Sequence, residues 1–244
     1  MSDGESVVDL EAAVTAFRHA LAGDPNARAA RCGLAESCVR LGIALHRRGE
    51  LDRAQQACLD AVAAARDLGD RKLLADGQGV LGTVYKDRGL LDRAERSYRE
   101  AIVIDDELKR EESLSAHFNN MAEILAKRGD LEGAKALLSR ALAIDERRGD
   151  LGGCASALGN LGSLAYLERD WQEAQRLLRR ALDLNRKAGR LDGAAANLLN
   201  LGRLDRARGR TWRARRCWKQ ARAIYLAMNA PRLVAQVDQL IAAP

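Results

Sequence analysis

The sequence repeats itself every 40 residues, which leaves few folds open to it. Leu41-Gly42, Leu81-Gly82, Met121-Ala122, Leu161-Gly162 and Leu201-Gly202 stand 40 apart. So do Ala54, Ala94, Ala134, Ala174 and Ala214, and again Ala61, Ala101, Ala141, Ala181 and Ala221. Two further rows read Gly49, Gly89, Gly129, Arg169, Gly209 and Gly69, Lys109, Gly149, Gly189, Asn229. Agreement across five copies in several rows is not chance. A unit that recurs in this way cannot bury its apolar face alone and must stack on its neighbours.

Each unit reads as two helices. Leu81, Gly82 and Tyr85 fall on one face of the first, and Ala94, Tyr98 and Ala101 on one face of the second. Gly89 ends the first helix in a left-handed C′ conformation, and Gly69, Gly149, Gly189 and Asn229 end second helices in the same way. Lys109 breaks that rule, so its junction is expected to be longer or distorted. Asp70 and Asp150 are placed to cap the helix that follows. Scarce β-branched and aromatic residues agree with an all-helical chain. The small residues let the two helix axes approach, with Tyr85 or Tyr98 filling the space beside them.

These rows resemble the tetratricopeptide repeat: an apolar-Gly pair, an aromatic three residues after the Gly, then small-aromatic-small on the second helix. Leu81, Gly82, Tyr85, Ala94, Tyr98 and Ala101 match it best. Unit five departs at Asp205 and keeps Trp218, and unit three has Met121-Ala122, Leu125 and Leu138. The 40-residue form with a Gly-Asp junction is similar to Leu-Gly-Asn-type scaffolds, kinesin light chains and bacterial peptide-sensing regulators. The resemblance implies an all-α, right-handed superhelical solenoid of about twelve antiparallel helices, in a single domain over 1–244. Repeats are expected at 35–74, 75–114, 115–154, 155–194 and 195–234. A lone second helix lies within 7–34, and a capping helix at 231–244 starts at Pro231.

It also implies a concave groove lined by first helices. Asn120, Asn160 and Asn200 precede the Leu-Gly position, and in such families this Asn faces a bound extended peptide. The same face presents Thr83, Glu123, Ser163 and Arg203, then Lys86, Tyr166 and Arg206. An amide that both donates and accepts suits a peptide backbone, but it also suits hydrogen bonds within the repeat. Mixed signs argue against a simple anion trough and allow a peptide whose acidic end lies toward unit five.

The net charge of +6 is unevenly placed. Residues 201–222 hold nine bases and one acid, Asp205, for a net +8, so the remaining chain carries −2. Three readings suit this Arg-rich pair: a solvated surface, a site for an acidic protein, or a nucleic-acid surface with Trp212 and Trp218 stacking on bases. Trp218 sits in a core row and no nucleic-acid reader motif is present, which disfavours the last. Five cysteines, an odd number with no C-x-x-C pair, argue against a disulfide framework or a zinc site and read as small core residues.

No catalytic set assembles. Gly77-Gln78-Gly79-Val80-Leu81-Gly82 matches G-x-G-x-x-G but lies inside a helix, with no strand before it. His19, His46 and His117 fall in different units, the last two as surface or groove residues. Asp105-Asp106 and Glu111-Glu112 read as a solvated turn. No apolar run approaches the roughly 20 residues that cross a bilayer, and Met1–Ser6 shows no secretory pattern. The expectation is a cytoplasmic, bacterial, non-enzymatic scaffold or adaptor without cofactor, metal or membrane, binding a protein or peptide in its groove. The alternatives are a homo-oligomeric platform or a peptide-sensing module acting on a separate output protein. The close helix seam yields a test: Ala94→Leu overpacks it and lowers the stability read from urea unfolding by about 1–3 kcal/mol.

Overall fold

A computed structural model describes residues 6–242. They form twelve α-helices and, among the described residues, no strand. The helices are α1 Val7–Gly23, α2 Arg28–Arg47, α3 Leu51–Leu68, α4 Arg71–Asp87, α5 Leu91–Glu107, α6 Glu111–Lys127, α7 Leu131–Arg148, α8 Leu151–Leu167, α9 Trp171–Lys187, α10 Leu191–Ala207, α11 Thr211–Ala227 and α12 Pro231–Ala242. The chain divides within α6 into two compact units, the first ending at Ile124 and the second beginning at Leu125.

In the first unit α1 packs on α2, α2 on α3, α3 on α4 and α4 on α5, and α2 also touches α4. In the second, α7 through α12 each pack on the next, and α8 also touches α10. Each unit is therefore a solenoid stack of helical hairpins. α1, within the 7–34 segment, is started by a capping box between Ser6 and Asp9. α12 starts at Pro231, as expected, and buries Val234 and Val237.

The seam within each hairpin follows one rule. A Cβ placed on Gly82 would stand 2.9 Å from the Tyr98 ring, and one on Gly162 would stand 2.8 Å from Leu178. At Gly42 it would meet Cys58, and at Gly202 it would run into the Trp218 indole. Cys58, Tyr98, Leu178 and Trp218 occupy one row of the repeat, and all are buried beside the alanine rows. The glycine of the first helix is thus the space that this row fills. The Trp218 indole N–H uses the close approach to donate to the Leu199 carbonyl at 3.3 Å.

The junctions are more uniform than the glycine row suggests. Lys109, Arg169 and Asn229 adopt the left-handed conformation at φ 55, 62 and 52, in the company of Gly69 at 66 and Gly149 at 68. The Lys109 turn is neither longer nor distorted. The Arg110 N–H closes it on the Asp105 carbonyl at 2.9 Å, just as Asp150 closes on Asp145 and Arg190 on Asn185 at 2.9 Å. A backbone bond common to all these turns holds the residue left-handed whatever its side chain.

Over the four turns from Gly69 to Gly189, the residue that closes the turn alternates in chemistry. Asp70 caps α4 at the Leu73 N–H, and Asp150 caps α8 at the Gly152 and Gly153 N–H groups, at 2.9–3.0 Å. Arg110 and Arg190 instead reach back one repeat. Arg110 donates to the Lys72 carbonyl and to Asp76, and Arg190 donates to the Gly152 carbonyl at 2.8 Å and to Ser156 at 3.2 Å. The acids expected to form a solvated turn include Asp105, which is fully buried; Arg110 donates to it at 2.9 Å. His117 is likewise buried rather than on the surface. Its Nδ1 stands 2.9 Å from Asp105 without hydrogen-bond alignment, and its Nε2 fills the space above Gly79.

The seam rule predicts a contrast between two glycines. Gly202→Ala should destabilise the chain by about 1–3 kcal/mol, despite a helix-propensity gain of about 1 kcal/mol, because its Cβ meets Trp218. Gly23→Ala, with open space around it, should be neutral or stabilising. Urea midpoints of the two variants check this.

Candidate functional site

The groove candidates lie on the first helices α4, α6, α8 and α10. In the first unit they are turned largely inward. The Thr83 hydroxyl donates to the Gly79 carbonyl at 3.1 Å, so the 2.9 Å contact with Tyr98 is the phenol donating to Thr83. Tyr98 is fully buried, and that burial raises its pKa. Lys86 donates to Glu123 at 2.6 Å and to Asn120 at 3.4 Å. Its side chain is only 11% exposed, against 44% for Glu123. The Lys86 charge is therefore matched by its neighbour, and the Asn120 oxygen is engaged.

The second unit arranges equivalent positions differently. Ser163 donates to the Gly159 carbonyl at 3.0 Å and accepts from the Asn200 amide at 3.3 Å. The Asn200 oxygen accepts from Arg203 at 3.2 Å. These bonds make a ladder from α8 to α10. The Asn200 amide keeps one N–H and one lone pair beyond the ladder. Asn160 is exposed one turn before Ser163. Tyr166 is half-buried, its ring 5.5 Å from Trp171 in an edge-on arrangement. Arg206 lies over the buried Trp218 ring at 5.3 Å, with its charge exposed.

The structure thus gathers Ser163, Asn200 and Arg203 in one hydrogen-bonded set and Lys86, Asn120 and Glu123 in another. It separates Thr83 from both by committing it to Tyr98. Sequence reasoning passed over the back-reaching arginines, Arg110 and Arg190, and the glycines, Gly79 and Gly159, that admit His117 and Asn197. Each pair is 80 residues apart, so rows read at twice the repeat would have exposed them.

His46 pairs with Asp87 at 2.7 Å. Cys38, Cys58 and Cys154 are buried, while Cys32 and Cys217 are half-buried. Burial pushes the Cys38 thiol up to about 11 and the Cys58 thiol to about 12, so both stay protonated and unreactive near neutrality. Among the described residues, no group of three His, Cys, Asp or Glu could hold a metal ion. No described helix is long and apolar enough to cross a membrane.

Comparison with known proteins gives a consistent outcome. Tetratricopeptide repeat models match residues 37–72, 113–187 and 153–227. No curated protein sequence matches. Among solved structures the chain is similar to BtubC (BKLC) from P. vanneervenii, with a TM-score of 0.72 at 26% identity over 92% of this chain and 91% of that one. It is also similar to a putative kinesin light chain of nearly identical TPR-like repeats from Podosopora anserina, with a TM-score of 0.61 at 21% identity over 80% of this chain and 95% of that one. Aspartyl phosphate phosphatase F from Bacillus subtilis matches with a TM-score of 0.71 at 14% identity, over 88% of this chain and 56% of that one.

The shielded Lys86 should couple measurably to its carboxylate. A double-mutant cycle of Lys86→Ala and Glu123→Ala, read from denaturant unfolding, is expected to give about 0.5–1 kcal/mol of interaction. A coupling of zero would return Lys86 to the pool of residues free to meet a ligand.

Proposed function

The chain belongs to the tetratricopeptide repeat family, and from that premise we propose that it is a non-catalytic protein-interaction scaffold. Its binding surface is the α8/α10 face of the second unit. The ligand is a peptide or helical segment of another protein with acidic character near Arg203 and Arg206.

One observation carries this reading: the Ser163–Asn200–Arg203 ladder. It fixes the Asn200 amide in one orientation and leaves half of its hydrogen-bonding capacity unused. A fixed amide meets a peptide backbone without first losing rotamer freedom, which lowers the cost of binding. Asn160 is exposed on α8 one turn before Ser163, and Tyr166 supplies a flat apolar body with a polar tip. Arg203 and Arg206 add two exposed positive charges. On α4 and α6 of the first unit the corresponding charge is balanced by the Lys86–Glu123 pair. The contrast favours α8/α10 as the face for an anionic ligand.

Partners recovered from the native cell and identified by mass spectrometry supply the ligand for titration. Asn160→Ala with Asn200→Ala and Arg203→Ala is expected to weaken that partner at least tenfold by isothermal titration calorimetry, about 1.4 kcal/mol. Unchanged affinity would remove the ladder from the interface.

A further inference from the structure

The outer face of α11 lies on a second helix, away from the ladder residues. We infer that this face is a separate docking surface for an acidic helical segment of a partner protein.

From Arg206 to Val237 the chain has nine bases and no acid. Several of these charges are already engaged. Arg222 pairs with Asp238 at 2.5 Å, Arg208 donates to Gln175 at 2.9 Å, and Arg210 stands 3.9 Å from Asp205. Arg215, Arg216 and Lys219 are exposed and have no carboxylate partner among the described residues. Together with Trp212 they fall at i, i+3, i+4 and i+7, the spacing of one helix face. The opposite face buries Ala214, Trp218, Ala221 and Tyr225, so the basic row points outward. Trp212 is 64% exposed, and the Arg213 guanidinium lies 5.1 Å over its ring.

Three cations within two turns lie inside about one Debye length of one another at 0.1 M salt, so they attract as a unit. The matching ligand is a helix with carboxylates at i and i+4 and one apolar side chain placed against Trp212. An exposed Trp ringed by Arg has the composition of an interface anchor. A single exposed aromatic does not make the stacking track that single-stranded nucleic acid uses. Nor do these residues make a continuous apolar edge for a lipid surface, because cations fill the two turns that follow Trp212.

The probe is a fluorescein-labelled synthetic helical peptide of 18 residues, with Glu at i and i+4 and one Leu, read by anisotropy with the full chain. Micromolar binding that weakens with added salt is expected. Arg215→Glu with Arg216→Glu and Lys219→Glu should reduce affinity at least tenfold, and Trp212→Ala at least threefold. Arg28→Glu with Arg47→Glu and Arg96→Glu changes the net charge equally, at exposed sites of the first unit, and should leave affinity within twofold. Asn160→Ala with Asn200→Ala should also leave it unchanged, which separates this face from the ladder. Circular dichroism and urea midpoints check that each variant is folded. Equal loss in the charge-matched control would reduce the binding to net charge and overturn the proposal. Tighter binding of a 20-nucleotide oligo-dT or of phosphatidylserine vesicles, lost with the same α11 variants, would overturn it in favour of nucleic acid or lipid.

Discussion

The contact between the glycine of each first helix and the large side chain of its second helix is the constraint on which the rest of each unit depends. Where that glycine stands, as at Gly82 and Gly202, any Cβ would meet Tyr98 or Trp218. The axes therefore approach as far as the backbone allows, and one bulky residue fills the seam. The consequence reaches the surface. Trp218 in its slot donates to Leu199 and lies beneath Arg206, and Tyr98 in its slot takes up Thr83. The seam thus decides which groove residues are anchored within the fold and which keep an exposed charge.

A second regularity overlies the first at twice its length. Asp70 and Asp150 cap the helix ahead, while Arg110 and Arg190 grip the repeat behind. Small residues answer large ones in step. His117 lies against Gly79 and, 80 residues on, Asn197 lies against Gly159, while at the single period Asp145 lies against Gly153 and Asn185 against Gly193. A buried carboxylate or amide needs hydrogen-bond partners and room. The paired glycines supply the room, and in the case of Asp105, Arg110 supplies the partner. Neighbouring repeat interfaces in this chain are therefore not interchangeable, although the alanine rows are.

The helices, their order and their seams were legible in the sequence because they rest on rows that tolerate only small side chains. Ala54, Ala94, Ala134, Ala174 and Ala214 are all fully buried, and a fixed period of such residues has few physical explanations. The Lys109 turn was not legible, because its left-handed shape is held by a backbone bond to Asp105 that composition does not reveal. Asp105 and His117 were misjudged for a related reason. Adjacent acids on a polar stretch look solvated until an arginine five residues on folds back over one of them. In the groove, the rows located the Asn and Ser positions, but the ladder depends on side-chain reach between residues 37 apart, which a 40-residue alignment does not display.

Charge placement separates the two faces of the last repeats. On α10 the exposed Arg203 and Arg206 are each tied to a neutral partner, Asn200 and Trp218, so their positions are fixed while their charge is not neutralised. On α11, Arg215, Arg216 and Lys219 have no such tie among the described residues, and the acids nearest in sequence, Asp205 and Asp238, are taken by Arg210 and Arg222. Fixed charges favour a ligand with one defined geometry, because less rotamer entropy is lost when it binds. Untied charges on flexible stems favour attraction over fit and act through the rate of encounter. Steering on α11 and fixed geometry on α8/α10 would then act at different stages of binding, the first before contact and the second after it.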